Sequence, residues 1–289
     1  MADSILVSLD GTQHDADAPF LHADDLAAVR GDGIFETLLV RAGRPRCVRL
    51  HLERLARSAA AMELGTPDHD EWRGVIEAAT QAWVEKHGSA GEALLRLVYS
   101  RGREHGSAPT AYVTVDAVPD RVAAARAEGV RVVTLARGFS IDLAGSAPWQ
   151  LLGAKTLSYA TNMAALRHAA AEGYDDVIFV SSEGAVLEGP RSTVVAVHGD
   201  TLVTPPTEIG ILESTTVSAV FDVAEREGWT TKTDLLRPED LVAADSVWLV
   251  SSVTLAARVT HLNRYVMPVP SDSAKFADLV DRAISVDDN

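Results

Sequence analysis

Sulfur and positive charge are both scarce in this chain of 289 residues. A single cysteine, Cys47, excludes an internal disulfide and any thiolate metal cluster built within one chain. It reads as a small apolar residue after a turn. Basic residues number 26 against 41 acidic ones, a formal charge of −15 at pH 7, and such a field opposes binding to DNA, RNA or an anionic membrane. The expected partner is a small molecule. If that molecule is anionic, particular arginines must make a local positive pocket against the global field. No apolar run approaches the roughly 18 residues that span a bilayer. The opening MADSILVSLDG also has no basic region leading into an apolar stretch, so the chain reads as cytoplasmic.

Several chemical signatures are absent as well. There is no GxxxxGK(S/T), no GxSxG, no HExxH and no CxxC, which removes the P-loop, the nucleophile elbow and the common zinc motifs. Gly31-Asp32-Gly33 begins like a dinucleotide fingerprint but carries Glu36 where the third glycine belongs, and no clear strand enters it. The nine histidines are scattered, and His51 and His168 fall in helical stretches where a satisfied or solvated imidazole is the default.

The chain does have enough apolar residues, 47%, to bury a substantial core, and its length suits two modest domains. IFETLLV and RCVRL read as a hairpin turned by Gly43. From His51 to Leu64, Leu52, Leu55, Ala56, Ala59 and Met62 recur at helical spacing. A second helix is expected from 71 to 86, ending at Gly88, and ALLRLVYS and AYVTVDAV follow as strands. A linker is expected over 118–129, dividing a domain of residues 1–120 from one of residues 121–289. In the second part, VRVVTLA, DVIFVSS, STVVAVHG and DSVWLVSS read as strands. Helices are expected over 162–172, 216–227 and 274–284. Strands clustered among scattered helices predict a two-domain α/β or α+β fold.

Lysine is the scarcest charged residue, with Lys86, Lys155, Lys232 and Lys275 making the full set. Three stand in polar or amphipathic surroundings. Lys155 instead lies in LLGAKTLSYATN, after apolar residues and before a helix, where a desolvated amine can have a lowered pKa and act as a nucleophile.

GDGIFETL at 31–38, HLERLARSA at 51–59, Lys155 with Tyr159, LEG at 187–189, TPPTEIGIL at 204–212 and the serine pair Ser251-Ser252 follow one another along nearly the whole chain. In this order they resemble the motifs of the class-IV aminotransferase and aminodeoxychorismate lyase family, whose fold is the two-domain fold-type IV with pyridoxal 5′-phosphate between the domains. The resemblance implies a homodimer. It makes Lys155 the Schiff-base lysine, carried by the C-terminal domain, and the shuttling acid–base. It sets Glu188 against the pyridine nitrogen and Arg54 on the phosphate. Thr215 and Thr216, at a helix start suited to an anion, join Ser252 and the backbone of Val253 as further phosphate contacts. Tyr159 resembles the tyrosine that touches the cofactor's phenolic oxygen.

Departures from the pattern bear on the shape of the phosphate turn and on the substrate side. Glu213-Ser214 and Val217 replace the usual Pro-Gly and arginine around the phosphate turn, and Ser192-Thr193 replaces Ser-Asn after the glutamate motif. Thr37 stands where lyases of the family often carry threonine and branched-chain enzymes glycine. Arg96 stands where lyases often have a basic residue, and Arg103-Glu104-His105 imitates the Arg-x-His pair of D-amino-acid enzymes in a shorter segment. The expected reaction is that of a 4-amino-4-deoxychorismate lyase, releasing pyruvate and 4-aminobenzoate for folate synthesis, with Thr37 assisting Lys155 and with Arg96 and Arg191 binding substrate. The alternative is an aminotransferase acting on branched-chain or D-amino acids with a 2-oxo acid. No metal site is expected.

Overall fold

The computed structural model describes residues 4–106, 108–270 and 273–285, which divide into two compact units. The first contains residues 4–119 together with 154–159, and the second contains 120–153 and 160–285.

In the first unit the strands are β1 (Ile5–Ser8), β2 (Gln13–His14), β3 (Gly33–Arg41), β4 (Arg44–Pro45), β5 (Glu92–Ser100) and β6 (Thr110–Ala117). They form one sheet in the order β2-β1-β6-β5-β3-β4, antiparallel throughout. Helices α1 (Leu26–Arg30), α2 (Val48–Ala61) and α3 (His69–His87) accompany it. Helix α2 packs on β3, and α3 packs on β1 and β6. Along β3 the side chains alternate, so Ile34, Leu38 and Val40 are buried on one face while Phe35 and Thr37 are half-buried on the other.

The expected strand RCVRL does not form. Its residues open α2 instead, because Cys47 takes a left-handed conformation, φ 54°, and turns the chain directly from the short β4 into the helix. Of the stripe read for α2, Leu52, Leu55 and Ala59 are buried, as is Met62 at the helix C-cap, while Ala56 is half-buried.

The second unit is built on α4 (Asp120–Glu128), β7 (Val130–Ala136), α5 (Leu143–Ser146), α6 (Ala160–Ala171), β8 (Asp176–Val180), β9 (Thr193–His198), β10 (Thr201–Thr204) and α7 (Thr215–Arg226). It continues with β11 (Thr230–Thr233), α8 (Pro238–Ala243), β12 (Ser246–Ser251), β13 (Leu255–Leu262), β14 (Tyr265–Val266) and α9 (Ser273–Ala283). The strands order as β11-β10-β9-β12-β13-β7-β8, with β14 beside β13. Residues expected as linker form α4, which buries Val122 and packs on β13. The core holds Val132, Ile178, Val194, Leu249 and Val259 among others.

The stretch around Lys155 departs from a single boundary near residue 120, since it packs with the first unit. Two glycines explain why. A Cβ at Gly33 would stand 2.7 Å from the Cβ of Ser100 and 2.8 Å from Leu157 Cδ1, and one at Gly31 would meet Ser158 Oγ at 2.8 Å. Only glycine lets the segment cross so close to β3. The crossing is then pinned by Leu157 N–H donating to Gly33 O at 2.8 Å and by Phe35 N–H donating to Lys155 O at 3.0 Å.

Candidate active site

In the first unit the site grows from two elements, β3 and α2. On α2, His51, Arg54 and Ser58 follow one another at helical spacing, so a line of polar groups runs down the buried face beside the apolar stripe. On β3, Glu36 occupies an inward position between Ile34 and Leu38 and is fully buried. Its carboxylate accepts two bonds from the Arg54 guanidinium, Nε to Oε1 at 2.8 Å and Nη2 to Oε2 at 2.7 Å. His51 Nδ1 lies 2.7 Å from Oε2. Farther along α2, Ser58 Oγ accepts the Lys155 backbone N–H at 3.1 Å. The lysine amine itself lies over the Phe35 ring, 4.4 Å from its centroid, and Tyr159 meets the same ring edge-on at 5.4 Å.

Burial by itself raises a carboxyl pKa, but here the Arg54 charge and the bonds from Arg54 and His51 outweigh it and hold Glu36 far below the usual carboxylate range. Burial pushes the His51 imidazole down, which Glu36 opposes and the charges of Arg54 and Lys155 reinforce. Glu36 is therefore ionised and His51 neutral, so Nδ1 carries the proton and donates it to the carboxylate. Both groups have folded pKa values below their unfolded ones. The unfolded chain therefore binds more protons in the window between the two, and stability falls as pH falls. The His51 contribution starts to be lost below its ordinary value of 6.5, and that of Glu36 below 4.5. Thermal unfolding followed from pH 8 to 4 should show this decline, and His51→Asn should flatten the part between 6.5 and 4.5.

Thr37 and Arg96 face each other directly across β3 and β5. Side chains so paired share a face, the one on which Phe35 also lies. Arg96 is exposed, and the Tyr112 hydroxyl on the neighbouring strand is held above its ordinary pKa by burial and drawn back by the Arg96 charge. Arg103 bonds Asp24, which ties the D-amino-acid-like segment to the loop before α1.

In the second unit Glu188 is half-buried, and its Oε2 accepts the Leu212 N–H at 3.2 Å. The glycine after it is sterically required, because a Cβ at Gly189 would stand 2.3 Å from Ser192 Oγ and 3.0 Å from Val177 O. Ser214 caps α7, its hydroxyl accepting the Val217 N–H at 3.2 Å. This is how the chain starts the helix without the usual Pro-Gly. Thr215 and Thr216 then take the first helical positions and are buried. Ser252 and Val253 form the turn between β12 and β13, braced by Arg126 Nη2 donating to Val253 O at 2.6 Å. Arg191 faces Asp176, with Nη2 to Oδ2 at 3.7 Å.

The structure thus gathers Thr37, Arg54, Arg96, Lys155 and Tyr159 in one unit, and Glu188, Arg191, Thr215, Thr216, Ser252 and Val253 in the other. Sequence reasoning passed over Glu36, His51 and Ser58. The signals were present: a glutamate in the inward phase of a strand, and three polar residues in one helical row beside an apolar stripe. Among the described residues no cluster suited to a metal ion is found, and no helix is long and apolar enough to cross a membrane.

Residues 33–262 match the family model for amino-transferase class IV. A Mycobacterium tuberculosis protein named bifunctional aminodeoxychorismate lyase / D-amino acid transaminase is 53% identical, over 98% of this chain and 100% of its own length. A solved structure from the same organism, described as a hypothetical aminotransferase in its PLP-bound form, superposes with a TM-score of 0.95 at 53% identity, covering 98% of this chain and 99% of that one. A fold IV-transaminase from Curtobacterium pusillum matches with a TM-score of 0.92 at 41% identity, covering 98% and 97%.

Proposed function

The chain belongs to the class-IV aminotransferases, and we propose that it is a pyridoxal-phosphate enzyme whose main reaction cleaves 4-amino-4-deoxychorismate to 4-aminobenzoate and pyruvate. The residues present suit that cofactor. An amine on a braced segment, a buried guanidinium, a half-buried carboxylate and a capped helix start match an aldehyde, a phosphate and a pyridine nitrogen in charge and kind. When bound, the cofactor supplies an electron-withdrawing ring conjugated to the amine-bearing carbon of the substrate.

The amine of Lys155 would hold the cofactor's aldehyde carbon and would serve as the base for the proton on the substrate's amine-bearing carbon. Thr37 assists the transfer. Glu188 would keep a proton at the pyridine nitrogen, and Tyr159 would contact the phenolic oxygen. Arg54, Thr215, Thr216, Ser252 and the Val253 backbone would supply the phosphate's donors. Arg96 and Arg191 attract the substrate carboxylates.

The lyase reading is carried by the pairing of Thr37 with Arg96. It puts a hydroxyl able to relay a proton beside a cation able to hold a carboxylate, on the sheet face that carries Phe35, whose ring lies under the Lys155 amine. A second activity, transamination of D-amino acids, is favoured by the name of the 53% identical relative. The purified protein, loaded with cofactor, should convert 4-amino-4-deoxychorismate to equal amounts of 4-aminobenzoate and pyruvate. If it forms neither, yet transfers the amino group of a D- or branched-chain amino acid to 2-oxoglutarate, the transaminase reading replaces the lyase one. The homodimer that the family implies is checked by sedimentation equilibrium.

Replacing Arg54 by alanine should weaken cofactor retention by about 10- to 100-fold, the equivalent of losing a charge-assisted contact of about 1.5–3 kcal/mol. Because Glu36 would then be buried without this partner, the variant should also unfold at lower temperature. Equilibrium dialysis and a thermal melt separate the two effects. Unchanged affinity for pyridoxal phosphate would return Arg54 to a structural role.

A further inference from the structure

The Glu36–Arg54–His51 cluster is an expensive way to hold a helix on a sheet. Apolar residues of similar volume would do so as well or better, since a buried ion pair must first overcome its desolvation. What the cluster does supply is geometry. The carboxylate and the guanidinium are both planar, and the two parallel bonds at 2.8 and 2.7 Å lock one plane to the other. His51 holds the carboxylate through a third contact at 2.7 Å. With the Nε–Nη2 edge of Arg54 taken by Glu36, the N–H groups on the other edge point away from Glu36 in a set direction.

The anchor also has a meaningful location. Glu36 sits in the interior of β3, which is flanked by β4 and β5. The residue before it, Phe35, binds the backbone carbonyl of Lys155 through its N–H. One strand therefore sets both the guanidinium and the lysine segment, and α2 closes the loop by tying Ser58 to the Lys155 N–H.

We propose that Glu36, backed by His51, is a positioning residue that fixes the Arg54 guanidinium relative to the lysine segment and so makes the site select the phosphorylated over the unphosphorylated cofactor. This rests on the assignment of Arg54 to the phosphate. Position, rather than charge, is the decisive quantity. Glu36 carries the same sign as a phosphate, so if charge alone mattered, removing it would improve phosphate binding.

The test compares binding of pyridoxamine 5′-phosphate and pyridoxamine to the full chain stripped of cofactor. Neither ligand carries an aldehyde, so the covalent link to Lys155 does not enter. Glu36→Asp keeps the charge but is too short to make the fork, and it should lower the preference for the phosphorylated ligand by about tenfold or more. Glu36→Gln, which keeps the length but loses the paired acceptors, should lower it too. A purely structural role would weaken both ligands alike and leave their ratio untouched.

His51→Leu should lower the ratio partially and His51→Asn, which retains a donor, should restore it. This pair carries the test if the Glu36 variants fail to fold, and equal ratios in the two would overturn the proposal. An unchanged ratio in Glu36→Asp, or a raised one in Glu36→Gln, overturns it as well. Arg54→Ala separates the levels. If it collapses the ratio while Glu36→Asp does not, only the Glu36 inference fails. If it leaves the ratio intact, the phosphate assignment itself fails.

Discussion

Lys155→Ala is expected to lower turnover by about 10⁴-fold or more, because on the proposed assignment one side chain supplies both the covalent link and the proton acceptor, and a positioned acid–base group alone is worth about 10²–10⁴. The near-ultraviolet to violet absorbance that marks the covalent link should vanish with it. The fold should survive. Its hold on this segment includes two backbone bonds that alanine retains, the N–H to Ser58 Oγ and the C=O from the Phe35 N–H. The loss of the amine over the Phe35 ring should cost only about 0.5–1 kcal/mol. Turnover, an absorbance scan and a thermal melt on the same preparation make the check. Activity retained above a few percent would remove Lys155 from its assigned role, whatever the spectrum.

Glu188→Gln addresses the electronic part of the mechanism apart from cofactor binding. Glutamine keeps the size and an acceptor for the Leu212 N–H but carries no charge to hold a proton at the pyridine nitrogen. The cofactor should still bind, since the residues assigned to its phosphate and the lysine are untouched. Turnover should fall by about 10²-fold or more, the scale on which one preorganised electrostatic group acts. Removal of the substrate proton then becomes the slow step, so a deuterated substrate should show a larger isotope effect than in the parent. Normal turnover with the cofactor bound would leave Glu188 as a turn residue that merely organises the Phe179 and Leu212 backbones.

Much of the candidate site was legible because the informative residues are rare or sterically compelled. Lys155 stood out among four lysines by its apolar neighbours, and in the structure it alone is half-buried, while Lys86, Lys232 and Lys275 are exposed. The helix stripe of α2 and the strand alternation of β3 could be read because their periods are local. The hairpin turned by Gly43 forms, but its second strand was misplaced for a local reason, whereas the linker was misread for a distant one. A left-handed residue at Cys47 is a conformation that a non-glycine residue does not advertise. Val122 makes α4 a packed helix only because β13, more than a hundred residues later, offers a surface.

The amino-acid sequence by itself determined the family, the cofactor chemistry and the candidate lysine, since these depend on residue types in a fixed order and on periodicities that act over a few positions. Tertiary structure decided which groups stand together. Gly31 and Gly33 looked like a failed dinucleotide fingerprint until the segment around Leu157, about 120 positions away, was seen to cross them at distances that leave no room for a Cβ. Glu36 looked like an interruption in that fingerprint until α2 folded onto β3 and brought Arg54 and His51 to its carboxylate. The physical reason is the same in both cases. A buried charge and a missing side chain acquire meaning only from the partner that approaches them, and that partner is chosen by the fold rather than by the neighbouring sequence.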